Sequence, residues 1–378
     1  MANETTSFVA GLEDVVANTS DICFVDGKEG RLLYHGYDIH DLVNGKASFE
    51  EVVYLLWHGT LPTRAELNTF TRQISEQRAL HPKVLAFLRE VPADANAMAV
   101  LRTAVSYAGL YDPDDGDESR EANVRKATRL VAQIPTIVTT FERIRQGLEP
   151  VQPDPELSAA SSFFYLLRGE KPDEFTERAF NIALILHADH ELNASTFSAR
   201  VTAGTLSDMY SAITSAIGTL KGPLHGGANE QVMRMLLEIG DLSKAKAWIT
   251  DALAQKKKIM GFGHRVYRTE DPRATHLRKL SKEAGERINE LKWYEMSQVI
   301  EGVVKEQKGL NPNVDFYSAS MYYALGLPVH LFTPIFACSR ISGWTAHVLE
   351  QFANNRLIRP RAEYTGPTHA TYVPLDQR

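Results

Sequence analysis

Gly222-Pro223-Leu224-His225-Gly226-Gly227-Ala228-Asn229 separates two helical patterns. Upstream, Ser207 or Asp208 is suited to cap a helix that runs to Leu220. Gly222-Pro223 stops it, since glycine leaves helical geometry easily and proline cannot continue the hydrogen-bond ladder. Downstream, Val232, Met235, Leu236 and Ile239 recur at helical spacing, and Gly240 closes the segment. The break is therefore a seam between two helical parts. A return is expected near Gly326-Leu327-Pro328, which makes residues 223–327 a smaller part inserted into a larger one of residues 1–222 and 328–378.

The remainder of the chain reads the same way. Ser48-Phe49-Glu50-Glu51 and Thr63-Arg64-Ala65-Glu66 are capping-box patterns. From Asp173, Phe180, Ala183, Leu184 and Leu186 lie one helical face apart, leading to His187 and His190. Residues 273–307 hold two further helical stretches. Strand patterns are confined to Ile22-Cys23-Phe24-Val25 and Arg31-Leu32-Leu33-Tyr34, joined by a glycine-containing turn. The expected fold is all-α, in two parts, with a small N-terminal β-hairpin. Residues 112–118 read as an acidic loop.

Composition narrows the function classes. The 378 residues are 44% hydrophobic and 23% charged, ordinary for a globular protein with a large core. No apolar run reaches the roughly eighteen residues of a membrane span. The opening residues lack a basic segment followed by an apolar one, so no secretory signal is expected. Cys23 and Cys338 are the only cysteines, which suits buried thiols in a reducing cytoplasm. A net charge of −6 disfavours nucleic-acid binding.

Against that negative background, positive charge gathers around one histidine. Lys256, Lys257, Lys258, Arg265, Arg268 and Arg273 surround Ile259-Met260-Gly261-Phe262-Gly263-His264. A charge run is usually a solvated face. Here apolar and glycine residues interrupt it, which suits backbone contact with a flat ring flanked by cations for phosphates. His225 sits between glycines before a helix, where a neutral imidazole can donate to a carbonyl; it can equally be a loop histidine that caps or packs. His187, Asp189, His190 and Glu191 offer metal-ligand types, an anion site at His190, or only a polar helix end. Asp315 precedes an apolar helix and is either an N-cap or a general base kept ionised by helix N–H groups. Arg340 and Arg359 are isolated arginines that a carboxylate ligand would satisfy.

Read together, these segments resemble the citrate synthase family in its shorter bacterial and archaeal form. The likeness covers nearly the whole chain: residues 11–16, 34–39, 55–62 and 187–193, both histidine-glycine segments, Asn313-Val314-Asp315, and residues 359–364. The resemblance implies a catalytic trio of His225, His264 and Asp315. It implies that His190, Arg273, Arg340 and Arg359 hold oxaloacetate, with Arg359 reaching into the partner's site of a homodimer. Coenzyme A would meet Arg268, Lys258, Lys308 and the backbone of Ile259, Met260, Gly261 and Gly263. The implied activity is the tricarboxylic acid cycle condensation of acetyl-CoA with oxaloacetate, in the cytoplasm, with no metal and no permanently bound cofactor. 2-Methylcitrate synthase, which uses propionyl-CoA, shares the frame. A metal-dependent hydrolase at His187/His190 and a non-catalytic helical scaffold are the readings from other classes.

Overall fold

The computed structural model describes residues 8–378. The expectation about a secretory signal concerns residues outside that range. Among the described residues are three strands, β1 Cys23–Asp26, β2 Arg31–Tyr34 and β3 Tyr37–Asp38, followed by sixteen α-helices. The first eight are α1 Ile39–Asn44, α2 Phe49–His58, α3 Arg64–Ser75, α4 Pro82–Glu90, α5 Ala97–Gly109, α6 Arg120–Arg145, α7 Ala159–Arg168 and α8 Glu174–His187. The rest are α9 Ala194–Ala203, α10 Met209–Leu220, α11 Ala228–Ile239, α12 Leu242–Ala254, α13 Pro272–Arg287, α14 Lys292–Lys308, α15 Val314–Ala324 and α16 Phe332–Ala353. None of these helices is long and apolar enough to cross a membrane.

Local signals set the helix ends. Thr63 and Glu66 form a complete capping box, whereas Ser48 only accepts from the Glu51 N–H. Asp173 and Asp208 cap α8 and α10 through their side chains, which decides between Ser207 and Asp208. Gly240 ends α11 with φ of 69°. The acidic loop is less solvated than its composition suggests: Asp112 is buried, pairs with Arg129 at 2.7 Å and accepts from the Tyr210 hydroxyl at 2.6 Å.

The expected hairpin forms, with β1 paired antiparallel to β2, and a short third strand extends it in the order β1-β2-β3. His35 and Gly36 both take positive φ, 44° and 85°, and turn the chain back so that Tyr34 pairs with Tyr37. A positive φ at a histidine is not signalled by composition.

α16 is the axis of the fold. It is buried on nearly all sides and packs against α2, α6, α8, α9 and α10. A helix apolar all round belongs in a core. Beside it, Phe180 on α8 is fully buried and meets Phe163 at a ring distance of 4.8 Å and Phe164 at 5.1 Å. Among the later helices, α13 packs closely on α15, α11 packs against α15, α14 against both α13 and α15, and α12 against α14. Both cysteines are free and buried. Phe180→Ala is expected to cost about 3–5 kcal/mol of unfolding free energy in denaturant titration, because the surrounding aromatic side chains cannot collapse into the gap.

Candidate active site

Two loops distant in sequence are stitched together to form the site. The Gly263 N–H donates to Asn311 O at 2.9 Å, the Asn313 N–H to Gly261 O at 2.9 Å, and Asn313 Nδ2 to Gly263 O at 2.9 Å. Phe262 and Pro312 form an isolated antiparallel bridge. Gly261 has φ of 83°, and a Cβ there would lie 2.8 Å from Val232 and 3.0 Å from Phe316, so only glycine lets the loops close up. This brings the loop of His264 beside the start of α15, where Asp315 sits.

His264 is partly buried. Its Nδ1 accepts from the backbone N–H groups of Val266 and Tyr267, at 3.0 and 3.2 Å. Those donors have no alternative role, so the neutral ring is assigned a proton on Nε2. Burial, with Arg273 second, pushes its pKa down to about 4.

His225 has the opposite assignment. Its Nε2 accepts from the Ser195 backbone N–H at 3.3 Å and lies 2.8 Å from Ser195 Oγ, leaving the proton on Nδ1. Ser195 is itself fixed: Trp344 Nε1 donates to its hydroxyl at 3.0 Å, and the hydroxyl donates to Asn193 Oδ1 at 2.8 Å. Burial, then Arg340, pushes His225 down to about 4. The expected helix-terminus effect is not the main cause, since α11 begins three residues later, at Ala228.

Asp315 departs from expectation. It is not the N-cap of α15; Asn313 is, accepting from the Asp315 N–H at 3.0 Å. The Asp315 carboxyl is buried and its Oδ1 has no hydrogen-bond partner. No helix N–H holds it ionised. Burial pushes its pKa up to about 7, opposed by Arg273 and Arg340 and reinforced by Asp271.

His190, Arg273 and Arg340 complete the cluster. The His190 ring lies 5.0 Å from that of His264, and its Nε2 is 3.2 Å from the Tyr267 hydroxyl. Burial first, then Arg273, lowers its pKa well below the ordinary histidine value. Arg273 is paired bidentately with Asp271, at 2.9 and 2.7 Å, in a fully buried arrangement. Burial works against its charge, but Asp271 more than compensates and raises its pKa. Arg340 is 1% exposed; its Nε donates to the His187 carbonyl at 2.8 Å and its guanidinium lies 4.8 Å over the Phe336 ring. Burial pushes it down to about 10, the signature of a buried cation short of negative charge. Together these groups form a largely buried cluster with two neutral proton donors, one protonatable carboxyl and two cations, an arrangement suited to two anionic carboxylates and a reacting carbonyl.

Other expected residues lie elsewhere. Arg268, Lys258 and Lys308 are exposed, Ile259 and Met260 half-buried, and Arg359 is exposed on the C-terminal segment, where it lines a hollow with Arg200 and Glu350. His187 and His190 do not share a helix, because α8 ends at His187 and the chain bends away. His187 Nδ1 is bound to Ala183 O at 2.8 Å, and among the described residues no group of three His, Cys, Asp or Glu side chains is arranged around a common point for a metal. Reading the sequence missed Ser195, Tyr267 and Asp271. Only Asp271 had a signal, a capping aspartate before Pro272.

The raised Asp315 pKa sets a sign for stability. A carboxyl that binds its proton more tightly folded than unfolded costs stability as pH rises from about 4 through 7. Asp315→Asn is therefore expected to raise Tm more at pH 8 than at pH 5, read by differential scanning calorimetry.

Comparison with known proteins gives the family. The sequence profile described as "Citrate synthase, C-terminal domain" matches residues 11–361. Citrate synthase 2 of Bacillus subtilis is 54% identical over 97% of this chain and 98% of its own. A 2-methylcitrate synthase of Mycobacterium tuberculosis is 44% identical over 96% of this chain and 92% of its own. A solved citrate synthase from the archaeon Thermoplasma acidophilum, in ternary complex with carboxymethyl coenzyme A and oxaloacetate, superposes with a TM-score of 0.93 at 35% identity, covering 97% of this chain and 98% of that one. The neutral histidines, the buried carboxyl and the paired arginines thus sit in a chain that belongs to the citrate synthase family.

Proposed function

We propose that this chain condenses acetyl-CoA with oxaloacetate and hydrolyses the resulting citryl-CoA to citrate and CoA. The observation that carries the residue roles is the opposed tautomer pair, His225 protonated on Nδ1 and His264 on Nε2, beside a buried carboxyl. Asp315, once ionised, takes a proton from the thioester methyl. His225 Nδ1–H donates to the thioester oxygen and stabilises the enol that forms. The new nucleophilic carbon attacks the ketone carbon of oxaloacetate, and His264 Nε2–H delivers a proton to the ketone oxygen. Water then cleaves the thioester. Neutral donors suit both steps, because each carbonyl is polarised without a full charge being buried.

Arg273, Arg340 and His190 hold the oxaloacetate carboxylates, and their burial makes each contact strong. Arg359, exposed on the C-terminal segment, serves the site of a second copy in a homodimer. Arg268, Lys258, Lys308 and the 259–263 backbone take coenzyme A, the exposed cations meeting its phosphates. Residues 223–327 act as a domain closing over residues 1–222 and 328–378, so that water is excluded until hydrolysis. The chemistry uses no metal, the partners are small molecules and a second copy rather than nucleic acid or membrane, and the free thiols suit a cytoplasmic location.

A propionyl-CoA reading is favoured by the 44% identity to a 2-methylcitrate synthase. The two substrates differ by one methylene, worth about 1–3 kcal/mol in a pocket. Measuring kcat/KM for both thioesters decides: a preference for acetyl-CoA is expected, and a clear preference for propionyl-CoA overturns it. Asp315→Asn is expected to abolish condensation while leaving the oxaloacetate Kd, read by calorimetry, within about threefold, since the side chain acts on the other substrate. In the wild type, kcat/KM for the acyl-CoA should fall about tenfold per pH unit below pH 7, as the base is protonated. Mixed dimers of Arg340→Ala and Arg359→Ala chains should regain one working site in two; no recovery assigns Arg359 to its own subunit.

A further inference from the structure

The β1–β2 turn touches the loop that carries His264 and Arg268. The Arg268 N–H donates to Gly27 O at 2.8 Å. A Cβ on Gly27 would lie 2.2 Å from Val266 O and 2.9 Å from Val266 C, and one on Gly30 would lie 2.6 Å from Thr269 Oγ1. Backbone therefore meets backbone at a distance no side chain permits.

Both faces of this contact are preorganised. In the turn, Asp26 Oδ1 accepts from the N–H groups of Lys28 and Glu29, each at 3.0 Å, and Asp26 O accepts from Gly30 at 2.9 Å. The strands behind it are paired in register from Cys23 with Tyr34 to Asp26 with Arg31. In the loop, Val266 and Tyr267 are the residues whose N–H groups fix His264 Nδ1, and Tyr267 also reaches His190. Pressing on Val266 thus presses on the element that orients the His264 ring. Two further contacts cross the same seam between residues 1–222 and 223–327: His40 Nδ1 with His276 Nε2 at 2.8 Å, and Arg178 with Glu283 at 2.9 Å.

We propose that the Gly27 turn is a positioning element for the condensation: a rigid plate on which the His264–Arg268 loop is seated, aligning His264 and the Arg268 cation together. This rests on the reading under Proposed function, including closure of residues 223–327. The N-terminal sheet then has a catalytic task that its distance in sequence from the site conceals.

Gly27→Ala tests it. Gly27 does not use a positive φ, so alanine fits the turn itself, and its methyl group meets the Val266 backbone and forces the loop off the turn. Expected, in a variant that keeps the wild-type far-ultraviolet circular dichroism, are a kcat at least about tenfold lower and a raised KM for acetyl-CoA. The exposed Lys256, Lys257, Lys258, Arg265 and Arg268 report seating directly. Oxaloacetate with carboxymethyl-CoA should protect them from trypsin in the wild type and fail to do so in the variant. A second variant, in which Gly27-Lys28-Glu29-Gly30 is replaced by Asn-Gly, keeps a two-residue hairpin but removes the plate, and should behave alike. Wild-type kcat, KM and protection in either folded variant overturn the proposal. A wild-type enzyme that releases no CoA thiol from acetyl-CoA and oxaloacetate would instead overturn the functional reading.

Discussion

The buried carboxylate of Asp271 holds the site together. Its Oδ1 accepts from the Arg273 backbone N–H and from Arg273 Nε; its Oδ2 accepts from Arg273 Nη2 and from the Val314 N–H. One side chain thereby caps α13, orients the Arg273 guanidinium and grips the first turn of α15, which carries Asp315. Burial works to raise its pKa, yet the Arg273 charge and these hydrogen bonds hold it below the usual carboxylate range. Breaking a pair so deeply buried leaves an uncompensated charge and is costly. The positions of Asp315, Arg273 and, through the 261–263 to 311–313 pairing, His264 all follow from this anchor.

Around that anchor, removal of water does opposite things to acids and bases. It lowers both histidines to about 4 and lifts Asp315 to about 7. Each shift disfavours the charged form. The histidines are left as neutral donors across the physiological range, and the carboxyl is left as a stronger base than an exposed aspartate. Two buried arginines, Arg273 and Arg340, place positive charge within the same cluster. The same exclusion of water that tunes these groups also protects a thioester from premature hydrolysis.

Much of the fold was legible because helix ends are local events. Asp173, Thr63 with Glu66, Asp208 and Gly240 act within a turn of themselves, and the structure uses each as its sequence suggests. The third strand was not legible, since it depends on a positive φ at His35. The histidines and Asp315 were recognisable as candidates, and the two arginines beside them likewise. Their electrostatic state was not, because Asp315 looked like a carboxylate served by helix N–H groups when Asn313 had already taken the cap. Ser195 and Tyr267 were invisible for the same reason: they act through partners thirty and seventy-seven residues away.

The central claim is that burial keeps both ring donors neutral, with their protons on opposite nitrogens. Nitrogen-15 NMR of histidine-labelled protein titrated from pH 8 to pH 5 measures this directly. The account requires His225 to remain neutral with its proton on Nδ1, and His264 neutral with its proton on Nε2, throughout that range. An imidazolium signal from either ring above pH 6, or the same tautomer in both, would contradict it.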